Sequence, residues 1–150
     1  MTFHSNCAQD TEALGIKLAH TLKHLKNPII LLEGDLASGK TTLTKGIAKA
    51  LNIDDIIKSP TYTLLRSYQS RDHMYTLHHF DLYRLEDVGL DFDLEDSIYA
   101  PGFSVIEWPF QVKALLPDAY VLVKLTITGL ESRDIHVSYI GDQYKGVETI

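Results

Sequence analysis

Cysteine, long apolar runs and basic clusters are scarce or absent in this sequence. Of its 150 residues, Cys7 is the one cysteine, which excludes an internal disulfide and favours a reducing compartment. No apolar run reaches the roughly 18 residues of a membrane span, and the N-terminus shows no signal-peptide pattern. The sequence therefore predicts a cytoplasmic protein that makes no membrane contact.

Basic residues are too few and too scattered to predict a nucleic-acid-binding face. Lys and Arg total 14 against 20 Asp and Glu, so the formal net charge is −6 at pH 7. A protein that binds nucleic acid by neutralising phosphates usually carries a basic patch. The acidic balance disfavours direct nucleic-acid binding and mainly favours solubility.

Length and composition are those of one globular domain. The chain is 45% hydrophobic and 23% charged, and domains usually have roughly 100–200 residues. We expect a single domain over residues 1–150, with about residues 1–10 forming a flexible N-terminus.

Hydrophobic periodicity predicts alternating helices and strands, followed by a region rich in strands. The predicted elements are a helix capped by Asp10 or Thr11 and ended at Asn27, a strand at 29–32, a helix at 41–51, a hairpin at 62–83, a short helix within 86–98, a strand at 103–106, a helical segment at 112–116 and strands at 120–128 and 134–140. This order favours an α/β fold with a mixed sheet flanked by helices and antiparallel strands at one end.

A phosphate-binding loop is the sharpest motif, since residues 34–41 match G-x-x-x-x-G-K-[ST] between the predicted strand and helix. Its glycines let the backbone wrap around phosphate oxygens, so that N–H groups form an anion nest at a helix N-terminus. Lys40 supplies charge to the β- and γ-phosphates, and the Thr41 hydroxyl is placed to ligate Mg²⁺. The motif predicts a P-loop NTPase-like fold whose nucleotide-binding residues are Gly34, Asp35, Leu36, Ala37, Ser38, Gly39, Lys40, Thr41 and Thr42.

The motif leaves the base and the reaction open. No N-K-x-D segment for guanine recognition is present, which favours ATP. A small-molecule kinase would need several arginines to clamp two phosphorylated substrates, and the chain has Arg66, Arg71, Arg84 and Arg133. An ATPase is therefore the first hypothesis. A small-molecule kinase and a nucleotide-gated binding module without significant catalysis are the alternatives.

Two acidic residues at the ends of predicted strands are candidates for the second magnesium ligand that a P-loop enzyme needs. Glu107 ends the apolar strand at 103–106, and Asp81 follows an apolar stretch in the hairpin. Strand-end acids are also common as solvated surface residues. We expect one of the two to hold Mg²⁺ and the other to orient water for hydrolysis, with Glu107 preferred for the metal.

Four segments in order resemble the TsaE family, formerly called YjeE, of bacterial P-loop ATPases that support threonylcarbamoylation of tRNA adenosine. The four segments span Leu32 to Pro109, weaker similarity continues to Arg133, and together the segments are more specific than any one alone. They read LEGDL…GKTT from Leu32, SPTYTL from Ser59, HFDLYR from His79 and IEWP from Ile106.

The resemblance implies further roles and partners. Thr61 would face the nucleotide in a switch-like segment, Asp81 and Glu107 would be the acidic active-site residues, and Trp108 would lie beside the site. The family binds the TsaB–TsaD pair, and its ATP hydrolysis supports turnover by that complex, which contacts the tRNA. Packing remains the alternative role for Trp108.

One departure from the family pattern lies inside the loop. The family usually reads Gly-Asp-Leu-Gly-Ala-Gly-Lys-Thr, whereas Ala37-Ser38 stands here in place of Gly-Ala. If position 37 needs a positive φ, alanine costs about 1 kcal/mol. That cost would weaken nucleotide binding or reshape the loop.

Overall fold

The computed structural model describes residues 1–60, 63–83, 94–109 and 116–150. In chain order the elements are β1 (Thr2–Ser5), α1 (Ala8–Leu22), β2 (Ile29–Glu33), α2 (Lys40–Ala50), β3 (Leu65–Gln69), β4 (Thr76–Asp81), α3 (Leu94–Ile98), β5 (Phe103–Glu107), β6 (Tyr120–Ile127), β7 (Arg133–Ile140) and a C-terminal 3₁₀ helix (Asp142–Thr149).

These strands form one seven-stranded mixed sheet in the order β1-β7-β6-β2-β5-β4-β3. The central pairs β6–β2, β2–β5 and β5–β4 are parallel, whereas β3–β4, β6–β7 and β1–β7 are antiparallel. Because β2, β5 and β4 run the same way, the residues that follow their last positions meet at one edge of the sheet.

Alternating side chains of the central strand fill two separate cores, as expected for a strand covered on both faces. Ile30 and Leu32 belong to the larger core, which includes residues of α1 and α2 and Tyr144 of the C-terminal 3₁₀ helix. Ile29 and Leu31 point to the other face, where α3 contributes to the second core. The sheet is therefore covered by helices on both faces.

Helices α1 and α2 pack at unusually close range through two glycines. A Cβ atom added to Gly15 would lie 2.2 Å from the Leu43 carbonyl oxygen, and one added to Gly46 would lie 2.0 Å from the Glu12 carbonyl oxygen. The close approach leaves no room for a side chain at either position. It seats α2, whose first residue is Lys40, firmly against α1 and the sheet.

The structure agrees with the predicted α/β fold and differs from the prediction at the sheet edges and in helix α1. Antiparallel pairs occur at both edges of the sheet, β3–β4 at one and β6–β7 with β1–β7 at the other. Residues 2–5, which were expected to be flexible, pair with β7 as β1. Helix α1 begins at Ala8, ahead of the expected caps, and the Asp10 carboxylate instead accepts a hydrogen bond from the Asn6 N–H at 2.9 Å. Residues 112–115 of the predicted helical segment and residues 86–93 of the predicted short helix lie outside the described residues.

Within the described part of the chain, no helix is long and apolar enough to cross a membrane.

Candidate functional site

The phosphate-loop motif leads directly from the buried strand β2 into helix α2. The loop contains two residues with positive φ, Ala37 at 64° and Gly39 at 105°. Glycine adopts this conformation without penalty, whereas alanine does not. Position 37, where the TsaE pattern has glycine, therefore takes the left-handed conformation with an alanine in place. The cost expected for alanine at a positive φ applies to this loop.

Lys40 lies at the start of α2 with its side chain folded over the loop. Its ammonium donates to the carbonyl oxygens of Gly34 at 2.7 Å and Asp35 at 2.9 Å. Burial lowers the pKa of Lys40, and the negative charges of Glu107, Asp81 and Asp35 oppose that shift. The site thus holds a desolvated cation beside three carboxylates.

The two candidate acids end neighbouring strands, where Asp81 of β4 and Glu107 of β5 are paired in the parallel register. Both side chains are buried, with each residue 3% exposed. Asp81 accepts hydrogen bonds from the Tyr83 N–H at 3.0 Å and the Ser59 hydroxyl at 3.4 Å. Leu32, near the end of β2, is paired with Glu107 on its other side, so both acids face the start of the phosphate loop.

His79 is a buried neighbour of the site to which the sequence analysis assigned no role. Its Nε2 lies 3.1 Å from Glu107 Oε1, and its ring is fully buried. Its Nδ1 has no hydrogen-bond partner among the described residues. The sequence spacing could have indicated this contact, because His79 lies two residues before Asp81 on a strand and therefore shares its face of the sheet.

Trp108 packs its ring against the Lys40 ammonium. Its ring centroid lies 4.6 Å from Lys40 Nζ, and the Tyr83 ring packs against it at a centroid distance of 4.9 Å. Such a cation–π contact stabilises a desolvated ammonium. Trp108 itself has a positive φ of 56°, which is unusual for a bulky residue and is typical of strain held at functional sites.

These residues enclose a cavity of about 450 Å³, large enough for the phosphates of a nucleotide. Most of the predicted site residues line it together, and Gly34 and Asp35 lie next to it through their contacts with Lys40. Thr61 lies outside the described residues. The lining residues are Leu36, Ala37, Ser38, Gly39, Lys40, Thr41, Thr42, Ser59, Asp81, Tyr83, Glu107 and Trp108.

The donor set of this cavity fits Mg²⁺ and does not fit a softer metal. Thr41 brings a hydroxyl oxygen and Asp81 and Glu107 bring carboxylates to the same space, and Mg²⁺ prefers such oxygen donors together with substrate phosphates. No group of three or more His, Cys, Asp or Glu side chains suited to a metal occurs among the described residues. Two carboxylates and a hydroxyl are what a P-loop enzyme supplies.

The phosphate loop lies between a buried parallel strand and a helix, and two acidic residues on adjoining strands lie opposite it. This arrangement defines a P-loop NTPase fold. The crystal structure of YdiB from Bacillus subtilis has this fold. It superposes with a TM-score of 0.80 over 98% of this chain and 90% of its own, at 26% sequence identity.

Comparison with known sequences identifies the family. The family described as threonylcarbamoyl adenosine biosynthesis protein TsaE matches residues 5–135. The TsaE protein of Treponema pallidum is 38% identical over 136 residues, covering 89% of this chain and 97% of its own. That of Bacillus subtilis is 35% identical over 117 residues, covering 78% and 73%. Both are named tRNA threonylcarbamoyladenosine biosynthesis proteins, and this chain belongs to the TsaE family.

Proposed function

We propose that this chain binds and hydrolyses ATP with Mg²⁺ and thereby drives turnover of the machinery that makes threonylcarbamoyladenosine in tRNA. Its activity alone is weak and rises when it binds a TsaB–TsaD complex, which makes the contact with tRNA. The acidic net charge of −6 supports a division in which a partner binds the nucleic acid.

The residues around the cavity divide the chemistry among them. The loop N–H groups bind the phosphates, and Lys40 places its ammonium against the β- and γ-phosphate oxygens. Thr41 and Glu107 hold Mg²⁺, which when bound neutralises charge on the phosphates. Asp81 orients the attacking water toward the γ-phosphate and accepts its hydrogen bond.

Two further residues complete this assignment. Trp108 keeps the lysine in place through the cation–π contact at 4.6 Å. Thr61 contacts the γ-phosphate, as the family resemblance implies.

One observation carries the proposal: the parallel register of Asp81 and Glu107 places both buried carboxylates opposite the phosphate-loop lysine in one cavity. Buried carboxylates cost free energy unless they interact with a cation or donors. Their position beside a phosphate loop supports a role with Mg²⁺ and water.

The test is ATP hydrolysis and ATP binding by the purified chain, alone and with TsaB, TsaD and substrate tRNA. Lys40→Ala should weaken ATP binding by about 10–100-fold, since it removes charge-assisted hydrogen bonds. Asp81→Asn and Glu107→Gln should lower hydrolysis by about 100-fold or more while sparing binding. Asp134→Asn is the matched control, because it neutralises an exposed carboxylate paired with His4 at 2.7 Å.

Stimulated hydrolysis that depends on both acids would support the proposal. Release of ADP only when a small phosphate acceptor is added would instead indicate a kinase. Binding of TsaB–TsaD that requires ATP but proceeds without turnover would indicate a nucleotide-gated binding module. Unchanged hydrolysis in the Asp81→Asn protein would refute the role assigned to that residue.

A further inference from the structure

Arg133, the first residue of β7, contacts the phosphate loop from 95 residues further along the chain. Its Nε donates to the Ser38 carbonyl oxygen at 3.0 Å, and its Nη2 donates to the Ala37 carbonyl oxygen at 3.0 Å. Its Nη1 donates to the carbonyl oxygens of Gly129 and Ser132 at 3.2 and 2.8 Å, which anchors the guanidinium in the β6–β7 turn. The fork of donors therefore joins this turn to two consecutive loop peptides.

These contacts fix the direction of the loop peptides. The Ser38–Gly39 peptide is trans, so its N–H points away from the carbonyl that Arg133 holds. Gly39 lines the phosphate cavity, whereas Arg133 is not among its described lining residues. Arg133 thus holds the outer side of the loop, and the Gly39 N–H is left to point toward the phosphates.

The same contacts hold the strained residue of the loop. Ala37 has a φ of 64°, a conformation that costs an alanine free energy and that an unrestrained loop would leave. The hydrogen bond from Arg133 to the Ala37 carbonyl opposes that relaxation. Lys40 restrains the other half of the loop through Gly34 and Asp35, so two cations between them hold four loop carbonyls.

We infer that Arg133 is a positioning residue that preorganises the phosphate loop and compensates for alanine at position 37. The binding measurements that test this inference rest on the proposed nucleotide function, whereas the geometry of the loop can be tested without nucleotide. Without Arg133, part of the nucleotide's binding free energy would be used to restore the left-handed conformation of Ala37.

A double-mutant cycle between positions 133 and 37 tests this inference. We expect Arg133→Gln to weaken ADP and ATP binding by about fivefold to tenfold, the range set by the cost of a left-handed alanine. In the Ala37→Gly background the same change should cost less than about twofold, because glycine adopts the conformation freely. Calorimetric titration gives the four dissociation constants.

Arg71→Gln is the matched control, because it removes the same side chain from an exposed ion pair with Asp54 at 3.1 Å. Its dissociation constants should equal those of the wild type. Arg133→Lys, which cannot bridge two carbonyls as a fork, should fall between wild type and Arg133→Gln. It also serves if the glutamine variant fails to fold.

Amide hydrogen exchange of the unliganded protein supplies a readout that needs no nucleotide. Exchange over residues 36–40 should speed up in Arg133→Gln and remain unchanged in Arg71→Gln. An equal loss of affinity in both backgrounds at position 37, or unchanged exchange in the loop, would overturn the inference. Failure of the wild-type chain to bind nucleotide while the loop exchange responds as expected would count against the proposed function alone.

Discussion

At the scale of single residues, the state of Lys40 depends on two opposing effects. Burial lowers its pKa below the ordinary 10.5, and the carboxylates of Glu107, Asp81 and Asp35 limit the shift. Nucleotide phosphates would add negative charge and raise the pKa of Lys40 again. Binding therefore takes up a proton at pH values between the pKa of Lys40 without nucleotide and its pKa with nucleotide bound. We expect the affinity for ATP to fall as pH rises through the lowered pKa, by at most about tenfold per pH unit. Dissociation constants measured from about pH 7.5 up to the ordinary lysine pKa of 10.5 test this, since the phosphates are already fully ionised throughout that range.

Asp35→Asn provides the comparison for this pH dependence. Asp35 is exposed and raises the pKa of Lys40 through its charge, so removing that charge should move the fall in affinity to lower pH. The electrostatic account would be contradicted if the ATP affinity did not change with pH in either protein. It would also be contradicted if the fall in affinity occurred at higher pH in Asp35→Asn than in the wild type.

What the sequence could predict at this scale was the set of residues that belong to a linear motif. Lys40 and Thr41 follow from the loop pattern, and the acids at strand ends follow from the predicted strands. Arg133 and its hold on the loop could not be predicted, because the contact spans 95 residues and involves backbone carbonyls that carry no sequence signature. The φ of Ala37 is likewise a property of the folded loop.

At the scale of elements, the adjacent strands β4 and β5 place His79 against Glu107. With its proton on Nε2, His79 donates to Glu107 Oε1 at 3.1 Å in a fully buried position, and it orients that carboxylate toward the cavity. If Glu107 holds Mg²⁺ as proposed, His79→Leu should lower Mg²⁺-dependent hydrolysis by about 10–100-fold, the usual cost of losing a residue that orients a metal ligand. His79→Gln should retain most activity, since its amide can still donate to the carboxylate.

Magnesium titrations of ATP hydrolysis, made on variants with matched thermal stability, separate orientation from packing. A higher magnesium requirement in His79→Leu than in His79→Gln is the expected outcome. Equal losses in the two variants would mean that the ring acts through packing alone.

Elements built from local patterns were predicted well, and an element that depends on a distant partner was not. Strand β2, helix α2 and the hairpin of β3 and β4 carry their own periodicity. Strand β1 has only four residues, and it exists because β7, more than 100 residues away, offers an edge with which it pairs. Such a strand is stabilised by its partner and leaves little trace in the sequence.

At the scale of the whole molecule, strand β2 connects two regions with different tasks. Its last residue leads into the phosphate loop, whereas its first residue, Ile29, donates its N–H to the Tyr144 hydroxyl oxygen at 3.0 Å. Four steps along a strand separate these ends by about 13 Å. The C-terminal 3₁₀ helix therefore closes the fold against the central strand at a point remote from the nucleotide cavity.

This separation predicts that stability and nucleotide binding can be changed independently. Tyr144→Phe leaves the buried Ile29 N–H without its acceptor, so we expect a loss of about 1–3 kcal/mol in the free energy of unfolding and an unchanged ATP dissociation constant. Tyr139→Phe is the control, because that hydroxyl bonds Glu148 at the surface and its loss should cost less than about 0.5 kcal/mol.

Burial also raises the pKa of Tyr144, so the contribution of Tyr144 to stability is fully present below pH 10 and is lost as pH rises through the raised pKa. Denaturant unfolding at neutral and alkaline pH should show this alkaline loss in the wild type and a smaller one in Tyr144→Phe. If Tyr144→Phe weakened ATP binding as much as it weakened folding, the two ends of β2 would be coupled and the division would be wrong.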